Sequence, residues 1–105
     1  MKCTMNLLKL LLKPKEDFAK LLKNGAVIID VRSKEEYRTG HIQPSVNIPL
    51  DTIGKDIHKL KMLKKPIITV CRSGTRSALA KSILSGGGIE AYNGGAWTNL
   101  KVKLA

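Results

Sequence analysis

Two short apolar runs, Ala26-Val27-Ile28-Ile29-Asp30-Val31 and Pro66-Ile67-Ile68-Thr69-Val70, do most to limit what this chain can fold into. Each has the length of a strand, is rich in β-branched residues, and lacks the polar alternation of a sheet with one wet face, as expected for strands buried on both sides. Such strands need helices above and below them, and the intervening segments supply helical patterns. Pro14 suits the start of a helix whose Phe18, Leu21 and Leu22 share one face and which Asn24-Gly25 stops. Ser33 followed by Glu36 three residues on reads as a capping box opening a short helix through Tyr37. Ile57, Leu60, Met62 and Leu63 mark another amphipathic helix, and Ser77 to Leu84 a further one that Gly86-Gly87-Gly88 ends before Ile89 to Tyr92 returns as a strand. The alternation predicts an α/β fold, a central parallel sheet with helices on both faces.

At 105 residues the chain has room for one modest core. With aromatics at 4%, that core has to be built from Leu, Ile, Val and Ala. A single domain over residues 14–105 is expected, preceded by an arm or edge strand over residues 1–13. The apolar run in that arm, Leu7-Leu8 and Leu10-Leu11-Leu12, is too short to span a membrane, is broken by Lys9 and is followed by no small-residue cleavage site, so it reads as an edge strand or docking arm, with a signal remnant as the alternative.

The chemistry concentrates at Cys71-Arg72-Ser73-Gly74-Thr75-Arg76-Ser77, a tight turn between the second apolar run and a helix. Backbone N–H groups of a compact turn and the positive end of a helix dipole both favour an anion, and Arg72 and Arg76 add full charges, so the Cys71 thiol should ionise readily. The alternative, an inert core cysteine, gives no use to arginines one and five positions on. Four residues separate Cys71 from Arg76, one fewer than in the cysteine phosphatase pattern. The smaller ring of amides from Ser73 to Ser77 is suited to a single extra atom on the cysteine sulfur, namely a second sulfur, rather than to a tetrahedral phosphate.

Read with its surroundings, this loop resembles that of the rhodanese family, sulfurtransferases that carry sulfane sulfur as a cysteine persulfide. The resemblance runs from about residue 14 to residue 100. Ile29-Asp30-Val31-Arg32, Glu36-Tyr37, Gly40-His41-Ile42 and Val46-Asn47-Ile48-Pro49-Leu50 are similar to the family's first signature, and Tyr92-Asn93-Gly94-Gly95-Ala96-Trp97 to its terminal segment. Pro44-Ser45 departs from the family's usual Gly and small residue. The resemblance implies a rhodanese-like three-layer fold and a thiosulfate sulfurtransferase activity. Cys71 would be the nucleophile, Arg72 and Arg76 would bind the donor's sulfonate, and Ser73, Gly74, Thr75 and Ser77 would cradle the persulfide.

The expected partners are therefore a small anionic donor such as thiosulfate and an acceptor that is cyanide or a thiol. A protein-to-protein persulfide relay is the alternative, and a phosphatase or arsenate reductase the third reading. No cofactor or metal is expected: sulfite leaves as a stable anion, and no Cys or His spacing suits a metal. Asp30, Arg32 and His41 read as structural, Asp30 accepting local hydrogen bonds or pairing with an arginine, Arg32 fixing its strand end and His41 satisfying nearby backbone. His58 reads as surface, and Trp97 as packing near the pocket rim.

The net charge of +11 is mostly lysine. Without aromatic platforms or a helix-turn-helix or finger pattern it does not indicate nucleic acid. It reads first as a solvated lysine-rich surface, whose positive field secondarily raises the encounter rate with small anions and acidic protein partners. Two cysteines in such different settings do not form a disulfide framework and point to a reducing cytoplasm, with Cys3 incidental.

Overall fold

The computed structural model describes residues 16–105. The N-terminal arm, with Cys3, and Pro14 at the expected helix start lie outside the described residues. The strands are β1 (Val27–Asp30), β2 (Val46–Asn47), β3 (Ile67–Cys71) and β4 (Ala91–Ala96). They form a parallel sheet in the order β2-β1-β3-β4. The helices are α1 (Phe18–Lys23), α2 (Lys34–Thr39), α3 (Leu50–Ile53), α4 (Ile57–Met62), α5 (Thr75–Gly86) and α6 (Trp97–Leu104), with a 3₁₀ turn over Gly54–Asp56.

Successive side chains of a strand point to opposite faces, and the central strands bury both. Ile29, Val31 and Ile67 face Ile53, Leu60, Ala80 and Leu84 of α3, α4 and α5. Ile28, Ile68 and Val70 face Leu100 of α6, with Phe18, Leu21 and Leu22 of α1 packed against them. This is the three-layer arrangement expected, and the two apolar runs are its central strands.

Several boundaries differ from the sequence reading. Asp17, its side chain accepting from the Lys20 N–H at 3.1 Å, caps α1, so the helix begins at Phe18. Only Leu60 of α4 is buried; Met62 is 68% exposed because two residues on from Leu60 it points to the opposite side of the helix, and Leu63, 47% exposed, already lies at the C-cap. The last strand runs over Ala91–Ala96 rather than Ile89 to Tyr92. It continues through Gly94-Gly95 because a bulge opposite Thr69 and Val70 pairs Asn93 with Thr69 and Gly95 with Val70, leaving Gly94 as the extra residue. Glycine is required there: a Cβ on Gly94 would lie 2.8 Å from Ile68 Cγ2 and 2.9 Å from the Thr69 carbonyl oxygen. Helix α6, which is not among the elements expected from the sequence, anchors through the wholly buried Leu100. Strand β2, two residues long, is held to β1 by backbone pairing and by Asn47, whose amide donates to the Asp30 and Arg32 carbonyls at 2.9 Å each.

Among the described residues, no helix is long and apolar enough to cross a membrane.

Candidate active site

In a parallel sheet the loops that follow the strands gather at one edge, and the turns after β1, β3 and β4 meet there. Cys71 is the last residue of β3 and has no exposed surface, whereas Arg72, Ser73 and Thr75 are exposed. The sulfur thus lies beneath the loop, covered by its more exposed neighbours.

Helix α5 starts at Thr75, two residues before the expected Ser77, and its N-cap is Gly74 with no side-chain cap. The first turn of a helix has backbone N–H groups without intrahelical partners. Here the sulfur takes their place: the Gly74 N–H donates to Cys71 Sγ at 2.9 Å and the Ser77 N–H at 3.4 Å. Gly74 has φ 104°, a left-handed conformation that glycine adopts without strain and that turns its N–H toward the sulfur. Burial pushes the thiol up; hydrogen bonding with the Ser77 side chain and hydrogen bonds from the Ser77, Gly74 and Ser73 backbones outweigh it and hold Cys71 below the ordinary thiol value.

The two loop arginines part company. Arg72 lies exposed on the rim. The Arg76 guanidinium points to Glu36 of α2, with Nη1 2.8 Å from Oε1 and Nη2 3.0 Å from Oε2. Arg76 chiefly, with the Ser33 backbone, lowers the Glu36 carboxyl to about 2. Glu36 also accepts from the Ser33 N–H at 3.0 Å while Ser33 accepts from the Glu36 N–H at 3.2 Å, so the anticipated capping box is present and shares its carboxylate with the active loop. No local pattern pairs residues 36 and 76; this contact was invisible in the sequence.

Asp30 and Arg32 take the structural roles expected of them. Both are buried, and Arg32 Nη2 lies 2.7 Å from Asp30 Oδ2. The same guanidinium donates to the Gly40 carbonyl at 2.7 Å and to the Glu36 carbonyl at 3.3 Å, and stacks over Trp97 with its centre 4.6 Å from the ring. His41 Nδ1 lies 2.8 Å from the Tyr37 carbonyl oxygen and its ring stacks on Tyr37 at 3.7 Å. His58 is exposed. Around Pro44-Ser45, Tyr37 Oη donates to the Ser45 carbonyl at 2.9 Å and Ser45 Oγ to the Ile42 carbonyl at 2.6 Å, which holds the departing segment in place.

Asn93 joins the site unannounced, although it directly precedes the two glycines of the terminal segment. Its Oδ1 lies 2.6 Å from the buried Ser77 hydroxyl, and Ser77 Oγ lies 3.4 Å from Cys71 Sγ. An open depression of about 680 Å³ borders the loop, lined by Ser73, Gly74 and Thr75 on one side and Asn93 and Gly95 on another. Among the described residues no group of three or more His, Cys, Asp or Glu side chains is placed to hold a metal.

A buried thiol at an uncapped helix N-terminus, beside a guanidinium on the rim, can act as a stabilised sulfur nucleophile toward a small anion. Comparison with known proteins agrees with that chemistry. A thiosulfate sulfurtransferase, GlpE, of Pseudomonas savastanoi pv. phaseolicola is 36% identical over 75 residues, covering 71% of this chain and 70% of its own. A tRNA sulfurtransferase of Thermoplasma acidophilum is 35% identical over 84 residues, 80% of this chain but only 16% of that larger protein. Among solved structures, a rhodanese with anions from E. coli superposes with a TM-score of 0.66 at 32% identity, covering 71% of this chain and 91% of that one. The Rhodanese-like domain family matches residues 14–99, nearly the whole of the sheet, its helices and the cysteine loop, and the chain therefore belongs to the rhodanese family.

Proposed function

We propose that this protein is a sulfurtransferase that takes sulfane sulfur from thiosulfate onto Cys71 and passes it to a thiophilic acceptor, cyanide or a thiol. The observation that carries this reading is the sulfur-centred N-terminus of α5, where the Gly74 and Ser77 N–H groups converge on Cys71 Sγ inside a loop with four residues between Cys71 and Arg76. In the first half-reaction the Cys71 thiolate attacks the outer sulfur of thiosulfate. A bond forms between the two sulfurs, and the donor's own sulfur–sulfur bond breaks with its electron pair leaving on sulfite. In the second, the acceptor attacks the terminal sulfur and the electron pair returns to Cys71 as thiolate. Two half-reactions through a covalent intermediate give ping-pong kinetics.

Arg72 on the rim is the direct partner for the sulfonate oxygens. Arg76 supports the site from its pairing with Glu36, its charge felt by the Cys71 thiolate. Residues 14–105 serve as the catalytic domain in this reading, in a reducing cytoplasm that keeps the thiol free.

A second reading is sulfur relay to a protein acceptor. The charge of +11 would draw an acidic acceptor.

Intact mass after incubation with thiosulfate tests the proposal. One added sulfur, mapped to Cys71 and removed by cyanide, is expected. No uptake of sulfur together with hydrolysis of an aryl phosphate would replace it with phosphoryl chemistry.

A further inference from the structure

The Ser77 hydroxyl has one proton and three neighbours that can compete for it. Asn93 Oδ1 lies at 2.6 Å, the Gly74 carbonyl oxygen at 3.1 Å and Cys71 Sγ at 3.4 Å. The orientation of the Asn93 amide follows from a fixed donor: the Gly95 backbone N–H points at the same atom from 2.9 Å, so that atom is the oxygen. The other end of the amide, Nδ2, donates to the Gly74 carbonyl at 3.3 Å. An amide oxygen cannot donate, so the short contact between Asn93 and Ser77 holds the hydroxyl proton on the Asn93 side. Ser77 Oγ then presents a lone pair to Cys71, which suits the protonated thiol as donor. When Cys71 ionises, the serine proton has to swing to the sulfur and give up Asn93.

We propose that Asn93 is a positioning residue that sets how readily Cys71 ionises, by competing with the thiolate for the one hydroxyl proton of Ser77. The proposal rests on Cys71 as nucleophile but not on thiosulfate as donor. The bulge at Gly94 is the device that delivers it, since it keeps Asn93 in register with Thr69 while β4 shifts beyond it. The Thr69 hydroxyl, donating to the Ser77 carbonyl at 2.8 Å, holds the serine backbone from the other side.

The charged groups around the sulfur are Arg72 beside it in the chain, Arg76 on α5 with Glu36 of α2 upon it, and the Asp30–Arg32 pair at the end of β1. On β4 the titratable group is Tyr92, bonded to Glu90 at the far end of the strand. Among the described residues none of these hydrogen-bonds to Ser77 or Asn93, so the amide can be changed without removing a charge from the site.

The test is the rate of iodoacetamide alkylation against pH, resolved to the Cys71 peptide by mass, for parent, Asn93→Ala, Ser77→Ala and the double variant. Asn93→Ala is expected to move the Cys71 midpoint down by about half a unit to one unit, the range one neutral hydrogen bond supports. In the Ser77→Ala background the same change is expected to move it by less than a third of that. Far-UV circular dichroism and thermal melts accompany each variant, and Asn93→Gln supplies an amide at the wrong reach if Asn93→Ala fails to fold. An unmoved midpoint, as when water takes the place of the amide oxygen, overturns the proposal; so does an equal shift with and without the serine. Sulfur uptake from thiosulfate is measured separately: a protein that takes up no sulfur yet shows the serine-dependent shift retains this inference and loses only the donor.

Discussion

The ends of β1 and β3 lie side by side, and each leads through a short turn into a helix, yet they satisfy their backbone N–H groups in opposite ways. After β1, Asp30 accepts from the Arg32 N–H at 3.0 Å and Ser33 and Glu36 cap α2 reciprocally. Every acceptor there comes from within a few residues and is permanent. After β3, the helix has no side-chain cap and its N–H groups point at Cys71 Sγ. A helix N-terminus attracts an acceptor in either case. When the acceptor is a carboxylate or hydroxyl the turn is a brace; when it is a thiolate whose sulfur can gain and lose a partner atom, the same local physics becomes a site. The Glu36–Arg76 pair ties the brace to the site.

The sharpest break of this contrast is Cys71→Ser, which exchanges the reactive acceptor for an inert one of similar shape. Sulfur uptake is expected to vanish, with a melting temperature close to the parent's; retained transfer would mean that the uncapped helix is not the reactive turn. Next in size is Arg32→Met, which strips the brace of its guanidinium and leaves Asp30 buried without a counter-charge. A loss of about 3–5 kcal/mol in urea unfolding is expected, and a change below about 1 kcal/mol would show that the β1 turn is held by other contacts.

Arg72→Lys probes the site alone. If Arg72 holds the sulfonate as proposed, losing a charge-assisted hydrogen bond of roughly 1.5–3 kcal/mol is expected to lower kcat/KM for thiosulfate about tenfold to a hundredfold, with stability unchanged. Equal efficiency of variant and parent would remove Arg72 from the donor. Ser33→Ala removes half of the capping box and is expected to cost about 1 kcal/mol of stability. No loss would show that the Glu36 side chain carries the cap by itself.

The smallest effect links the two turns through pH. With Arg76 as the main cause, the folded Glu36 carboxyl titrates at about 2 instead of 4.5. Stability from the ionised pair is present in full above the unfolded value and is lost as pH falls through the folded one. The pair is about a third exposed, so solvent screening keeps the contribution small. Melting temperatures measured from about pH 5 to about pH 2 are expected to fall more steeply for the parent than for Glu36→Gln; parallel curves would show the pair to be energetically silent.

Much of this molecule could be read from local pattern. Ser33 and Glu36 announce their cap because the interaction spans a single helical turn. Ile28, Ile29, Ile67 and Ile68 announce central strands because burial on both faces leaves no polar alternation. The sequence pattern ends the last strand at Tyr92, short of Gly94-Gly95, and only packing against Ile68 and Val70 shows why glycine continues the strand there. Trp97, Leu100 and Leu104, spaced a turn apart among mostly polar neighbours, carry the helical pattern of α6, but over only eight residues directly after the terminal glycine segment.

By itself the sequence determined the two central strands, the turns after them and the gathering of Cys71, Arg72 and Arg76 in one loop, since these follow from periodicity, capping chemistry and spacing within a few residues. Which groups those side chains meet was decided by tertiary structure. Arg76 finds Glu36 across 40 positions, and Ser77 finds Asn93 across 16, because the parallel sheet brings the ends of β1, β3 and β4 to one edge. Contacts between strand ends depend on register and on one bulge, and neither leaves a periodic trace in the chain.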